Sequence, residues 1–172
     1  STEFLENPLK IEIEPQATTV DTIEQRYILV PNTPTKLNLL KHLLNHDEYA
    51  RVMIFVNTKT IADSVFKFLD RKLEKVVHVI HSNKGQNSRI NSVKEFEAGN
   101  VQVLVTTDVS ARGIDIDDVT HVFNFEAPKV YVDYVHRVGR TGRAEKEGIA
   151  ITLVNDAELL HLKKVEELIC HL

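Results

Sequence analysis

An open α/β fold, a doubly wound and mostly parallel sheet with helices on both faces, is what this sequence predicts, and two patterns predict it. From Gln25 onward, short runs rich in β-branched residues alternate with stretches of helical spacing, the order that builds right-handed βαβ units. Several strand runs are continuously apolar, Met53-Ile54-Phe55-Val56 most clearly, as in strands covered on both faces. In such a sheet ligands gather beyond the carboxyl ends of the strands, so the chemistry should follow each run directly.

Residues 1–24 are polar and irregular, with Pro8 and Pro15, and read as a linker or arm. Ile11 and Ile13 alternate with glutamate there and fit an edge strand. The folded domain is expected over residues 25–172, with strands at Tyr27–Val30, Val52–Val56, Val76–Ile80, Val101–Thr106, His121–Phe125 and Ile149–Val154. Helical spacing joins Ile61, Val65, Phe68 and Leu69, and again Ile90, Val93 and Phe96, with Gly99 placed to stop the second of these helices. Lys129 to Arg140 reads as a helix burying Tyr131, Tyr134, Val135 and Val138. The last helix carries Leu159, Leu162, Val165 and Ile169, with Asn155 or Asp156 as N-cap and Glu158 in its first turn.

The bulk numbers narrow the class. At 172 residues the chain fits one domain, and 42% apolar against 27% charged residues gives it enough to build a core. A net charge of −4 excludes a generally basic nucleic-acid binder, so any such contact comes from a local arrangement of charge. The single cysteine, Cys170, excludes an internal disulfide and reads as a buried helical residue. No apolar run approaches the ~18 residues of a membrane span. A cytoplasmic protein without a membrane partner is the expectation. His42 and His46 have i,i+4 spacing but no accompanying carboxylate or cysteine in a zinc motif, so no metal site is expected.

Four segments carry candidate chemistry. In His136-Arg137-Val138-Gly139-Arg140-Thr141-Gly142-Arg143, helical spacing puts Asp133, His136, Arg137 and Arg140 on the face opposite the apolar one. Asp133 can pair with Arg137, which leaves Arg140 and Arg143 without a local partner. Gly139 is costly in a helix and Gly142 is placed to end it, as where backbone approaches something closely. Convergent guanidiniums suit a polyphosphate, although a solvated basic helix end accounts for the same residues. Thr107-Asp108-Val109-Ser110-Ala111-Arg112-Gly113-Ile114-Asp115 follows a strand end. There Thr107 and Asp108 can cap a short helix, Gly113 permits a turn, and Asp115 suits a ribose hydroxyl. In Val56-Asn57-Thr58-Lys59, Thr58 is a helix N-cap or a site where helix amides hold a nucleic-acid phosphate. In His81-Ser82-Asn83-Lys84-Gly85-Gln86-Asn87-Ser88-Arg89, the arginine projects from a polar helix face.

In their order and spacing these segments resemble the carboxyl-terminal RecA-like domain of superfamily 2 helicases, most closely the DEAD-box RNA helicases. Val52–Lys59 resembles motif IV, Gln86 with Arg89 the QxxR motif, Thr107–Asp115 motifs V and Va, and His136–Arg143 motif VI. The histidine opening that last motif fits the DEAD-box rather than the DEAH-box form. Ser82 and Asn83 stand where the family's commonest pattern has glycine and aspartate, which is similar to bacterial RNA helicase E relatives. The resemblance implies that Arg140 and Arg143 are arginine fingers toward ATP, and that His136 and Arg137 link the domains and hold the motif in shape. It implies further that Asp115 and Gly113 lie on the ATP ribose side, and that Thr58, Arg89, Thr107 and Asp108 face the RNA backbone.

The sequence contains no Gly-x-x-x-x-Gly-Lys-Ser/Thr phosphate loop, no Asp-Glu-Ala-Asp and no Ser-Ala-Thr. In the resembled family those elements hold ATP and Mg²⁺ from the amino-terminal RecA-like domain, the expected partner alongside RNA. The chain therefore reads as half of a composite ATPase, inactive by itself. Its linker-like start without methionine suggests a piece of a longer protein. A stand-alone RNA- or protein-binding module, or a domain lending arginines in trans to another ATPase, remains open at this point.

Overall fold

A computed structural model describes residues 23–117, 119–142 and 146–170. The arm over residues 1–22, Arg143, and the side chains of Val165, Ile169 and Cys170 lie outside the described ones. Among the described residues six strands and six helices alternate: β1 (Ile23–Leu29), α1 (Thr33–Leu44), β2 (Val52–Val56), α2 (Lys59–Lys72), β3 (Val77–Ile80), α3 (Gln86–Glu97), β4 (Val103–Thr107), α4 (Asp108–Ala111), β5 (His121–Asn124), α5 (Tyr131–Val138), β6 (Gly148–Val154) and α6 (Asp156–Cys170). The strands form one sheet in the order β1-β6-β5-β2-β4-β3, and every described pairing is parallel. Ile23 and Glu24 belong to β1, paired with Gly148 and Ile149, so the sheet begins two residues before the boundary expected at residue 25.

Strand order and handedness decide which face each helix covers. The chain crosses the sheet in one direction from β1 to β2 to β3, then returns through β4, β5 and β6. Right-handed crossovers put the outward helices on one face and the returning ones on the other. The core is divided accordingly. Leu39, Leu40 and Leu44 of α1, with Ala62, Val65 and Leu69 of α2, pack on Val52, Ile54, Val56, Val103 and Val105. Phe96 of α3, Ala111 of α4, and Tyr134 and Val138 of α5 pack on Met53, Phe55, Leu104 and Val122. The continuous apolar run of β2 is thus buried from both sides, each large side chain contributing about 1.5–3 kcal/mol.

Local signals set the helix ends. Asn32 caps α1, its carboxamide oxygen accepting from the Thr35 amide at 2.9 Å, and Pro34 sits in the first turn, where no intrahelical donor is needed. Asn155 caps α6 reciprocally with Glu158: each backbone amide donates to the other's side chain, at 2.9 and 2.8 Å. α3 ends at Glu97, and Gly99 takes φ +81° just beyond. α5 is shorter than its pattern suggests. It ends at Val138 with Gly139 as C-cap, so Gly142, at φ +69°, shapes the following turn instead of ending the helix.

Candidate functional site

The carboxyl ends of the three central strands each deliver a polar residue: Asn57 after β2, Asp108 after β4 and Asn124 closing β5. Arg137 reaches them all from α5. Helical spacing assigns it to the outer face, but it is 0% exposed, lying over the Phe55 ring with its guanidinium carbon 5.5 Å from the centroid. Its Nε donates to Asp108 Oδ1 at 2.6 Å and its Nη2 to Asp108 Oδ2 at 2.7 Å, a bidentate pair. Nη2 also donates to Asn57 Oδ1 at 2.9 Å, and Nη1 to the Glu126 carbonyl at 2.9 Å and Asn124 Oδ1 at 3.3 Å. A guanidinium has five N–H groups, and here five hydrogen bonds use them. The expected Asp133–Arg137 pair does not form, because Asp133 takes Arg112 instead.

Arg140 has partners of a different kind. Its Nη1 donates to the carbonyls of Ile114 at 2.7 Å and Ile116 at 3.4 Å, and its Nη2 to the Ala111 carbonyl at 3.2 Å. The arginine expected to lack a local partner is thus spent on the loop after α4. That loop turns at Gly113, φ +77°, and leaves Asp115 exposed. Gly113 and Asp115, with Arg89, Ile90, Val93 and Ile114, line a cavity of about 320 Å³. His136 is exposed at the helix end.

Along the same strand ends lies a second group. Thr58 is the N-cap of α2, accepting from the Ile61 amide at 3.3 Å, and it is exposed. Lys59 donates to Asn83 Oδ1 at 3.1 Å. His81, 2% exposed, hydrogen-bonds through Nε2 to Asp63 at 2.9 Å, while its Nδ1 accepts from the Asn83 amide at 3.3 Å. That pairing assigns the imidazole proton to Nε2, and the His81 hydrogen bond holds the Asp63 carboxyl below the usual range. Arg89 is not a solvated helix arginine. It donates to Gln86 at 3.0 Å and to the Ser110 carbonyl at 3.4 Å, and its buried Nε has no partner. Thr107 precedes α4, but its side chain makes no cap bond.

The model of the helicase conserved C-terminal domain matches residues 35–145. The C-terminal domain of the DEAD-box protein Dbp5 superposes with a TM-score of 0.80 at 31% identity, covering 89% of this chain and 88% of that one. The E. coli DEAD-box protein SrmB, in its complex with the regulator of ribonuclease activity A, superposes with a TM-score of 0.74 at 38% identity, covering 81% of each chain. The chain belongs to the DEAD-box family, as a C-terminal helicase domain. Among curated relatives, the ATP-dependent RNA helicase CshA of Listeria monocytogenes is 40% identical over 95% of this chain and 31% of its own length. RhlB of Shewanella denitrificans is 34% identical over 98% of this chain and 39% of its own length. The DEAD-box domain therefore spans 31% and 39% of the length of these two relatives.

The fold of the DEAD-box domain brings Asp108, Arg137 and Asn57 into one buried cluster and places Arg140 against the Asp115 loop. Thr58 directly follows Asn57 as the cap of α2, and Arg89 reaches α4 through the Ser110 carbonyl; neither bonds to Arg137. Sequence reasoning missed Asn124 and Glu126, and it passed over Asn57 for its neighbour Thr58. The only sequence signal was an asparagine directly after, or closing, an apolar run. Also missed was Lys36, 3% exposed, which donates to the Phe125 carbonyl at 2.9 Å and to Glu158 at 2.6 Å, tying α1 to the start of α6. Among the described residues no group of three or more His, Cys, Asp or Glu is placed to hold a metal ion, and no helix is long and apolar enough to cross a membrane. The His42 and His46 rings meet edge-on at 5.4 Å.

Proposed function

We propose that this domain is the second half of an ATP-dependent RNA helicase, completing an ATPase site across a cleft while it holds the RNA backbone. The observation that carries this reading is the buried Arg137 cluster. It ties the start of α2, the start of α4 and the helix that leads into Arg140 into one unit, so the elements that meet RNA and those that meet nucleotide move together. Thr58, Arg89 and Thr107 face RNA phosphates by side chain or adjacent amide, which makes recognition independent of sequence. Asp108 supports them from below, since both its oxygens are committed to Arg137.

On the nucleotide side, Asp115 meets the ribose from the Gly113 turn. Arg140 keeps that loop in place, a narrower role than its sequence position suggests, and Arg143 is the principal finger. His136, exposed at the end of α5, meets the preceding RecA-like domain. ATP, gripped with Mg²⁺ by that domain, supplies the phosphoryl bond whose cleavage lets the two halves part. Arginine fingers are worth about 10³–10⁵ in rate, and only on a phosphate that the other domain has already placed.

The test uses the two-domain protein. Arg143→Ala should lower RNA-stimulated ATP hydrolysis by about 10³-fold or more while RNA affinity stays near wild type; hydrolysis at the wild-type rate would sink the assignment. The isolated domain should show neither ATPase nor unwinding activity.

A further inference from the structure

The backbone that follows α5 remains docked against the sheet. On one side of it lies Val119, whose amide donates to the Arg140 carbonyl at 3.3 Å and which forms a parallel bridge with Thr141. The Thr141 hydroxyl, on a residue 1% exposed, donates to the Val119 carbonyl. On the other side lies Gly148, the first residue of β6, paired in turn with Ile23 of β1. A Cβ at Gly148 would stand 2.3 Å from Thr141 Oγ1, 2.4 Å from the Gly142 amide nitrogen and 2.7 Å from Thr141 Cγ2.

The glycine here answers to space and not to backbone conformation, because the positive φ values fall at Gly99, Gly113 and Gly142. Neither neighbour can yield cheaply. One is backbone, and the other is a β-branched side chain held by burial and by its hydrogen bond to the Val119 carbonyl. Any side chain at residue 148 would push the Thr141–Gly142 backbone away from β6, and Arg140, one residue earlier, holds the Ala111, Ile114 and Ile116 carbonyls.

We infer that Gly148 and the Thr141 hydroxyl are positioning residues for the arginine segment, clamping the Arg140–Gly142 backbone between β6 and Val119 and so setting where its arginines point. The inference rests on the reading of Arg140 and Arg143 as nucleotide-facing. Neither Gly148 nor Thr141 is among the residues read as facing nucleotide or RNA. The clamp's effect is on the placement of groups that act in the hydrolytic step.

The experiment measures steady-state RNA-stimulated ATP hydrolysis, nucleotide-free RNA affinity and thermal unfolding in the full two-domain protein. Gly148→Ala, Thr141→Val and Thr141→Ser are compared, with Arg143→Ala as reference. A misplacement of about 1 Å can cost about 10²-fold in rate, so Gly148→Ala and Thr141→Val should lose kcat on that scale while KM for ATP and RNA affinity hold. Thr141→Ser keeps the hydroxyl donor and should recover most of the rate. Should Gly148→Ala fail to fold, the Thr141→Val and Thr141→Ser pair decides alone. Thr141→Val that folds and turns over at the wild-type rate, beside an inactive Arg143→Ala, overturns the clamp and leaves the finger reading standing. A loss spread evenly over kcat, KM and RNA affinity marks general damage and also overturns it. Normal hydrolysis by Arg143→Ala overturns the clamp together with the reading beneath it.

Discussion

At the carboxyl ends of the central strands Arg137 is fully buried, with the Asp108 carboxylate beside it and its N–H groups all bonded. Toward the amino ends of the same strands, His121, Tyr49 and Lys75 are pushed toward their neutral forms. Burial lowers the pKa of His121, 6% exposed, whose ring lies 4.3 Å from that of Tyr49. Burial likewise raises Tyr49 and lowers Lys75, whose ammonium donates to the carbonyls of His46 and Tyr49 at 2.8 and 2.7 Å. Arg51, over the Phe96 ring at 5.0 Å, keeps a buried Nε without a partner. The contrast shows what a buried charge requires. At one end, side chains and carbonyls from three strands converge on the guanidinium with a full carboxylate. At the other, Lys75 meets two carbonyls and His121 meets a threonine hydroxyl and the Tyr49 ring, neutral partners against which desolvation prevails.

The largest expected effect tests the charged end. Arg137→Ala leaves the Asp108 carboxylate, Asn57 and Asn124 without their donor, and should destabilise the domain by about 3–5 kcal/mol, the cost of breaking a buried ion pair. Urea unfolding of the isolated domain measures it, and a loss well under that range would mean that water takes over the arginine's place. Arg137→Lys should not rescue, because an ammonium cannot serve the carboxylate bidentately and reach both asparagines.

The neutral end answers to pH. His121 has a folded pKa below its unfolded value of about 6.5. Its contribution is therefore fully present above that pH and is lost as pH falls below it, because the unfolded chain binds the proton more readily. The slope can approach about 1.4 kcal/mol per pH unit, the limit for one proton. Unfolding midpoints measured from pH 7.5 to 5 should fall in the wild type and flatten in His121→Asn. An unchanged slope in the variant would place the titration elsewhere.

The smallest effect separates two roles at one residue. Thr58→Ala removes the α2 cap and should cost about 1 kcal/mol of stability, with Thr58→Ser close to neutral. An RNA contact alone would leave unfolding untouched and change only affinity.

Much of the architecture was legible in the chain. β2 is apolar at each of its positions and β4 at its first three, and Gly99 and Asn155 with Glu158 announced their local structure, because periodicity, caps and turns are set by neighbours in sequence. The motif segments were legible for the same reason, each being a short run, at a strand end for Asn57–Lys59 and Thr107–Asp115 and at a helix end for His136–Arg143. The fate of the arginines was not. Helical spacing put Arg137 on the solvent side with Asp133 as its partner, and only the sheet order brings residues 57, 108, 124 and 126 to it. Arg140 looked unpartnered until the loop after α4 folded back beneath it. Gly148 lay outside the strand expected at Ile149–Val154 and carried no signal of its own until Thr141 and Gly142 came within a Cβ's reach. What the sequence determined by itself was the set of elements and the chemistry on offer at their ends. The tertiary structure decided which charges are buried, which are spent on holding loops and which remain exposed, because burial and pairing depend on residues tens of positions apart meeting at one end of a single sheet.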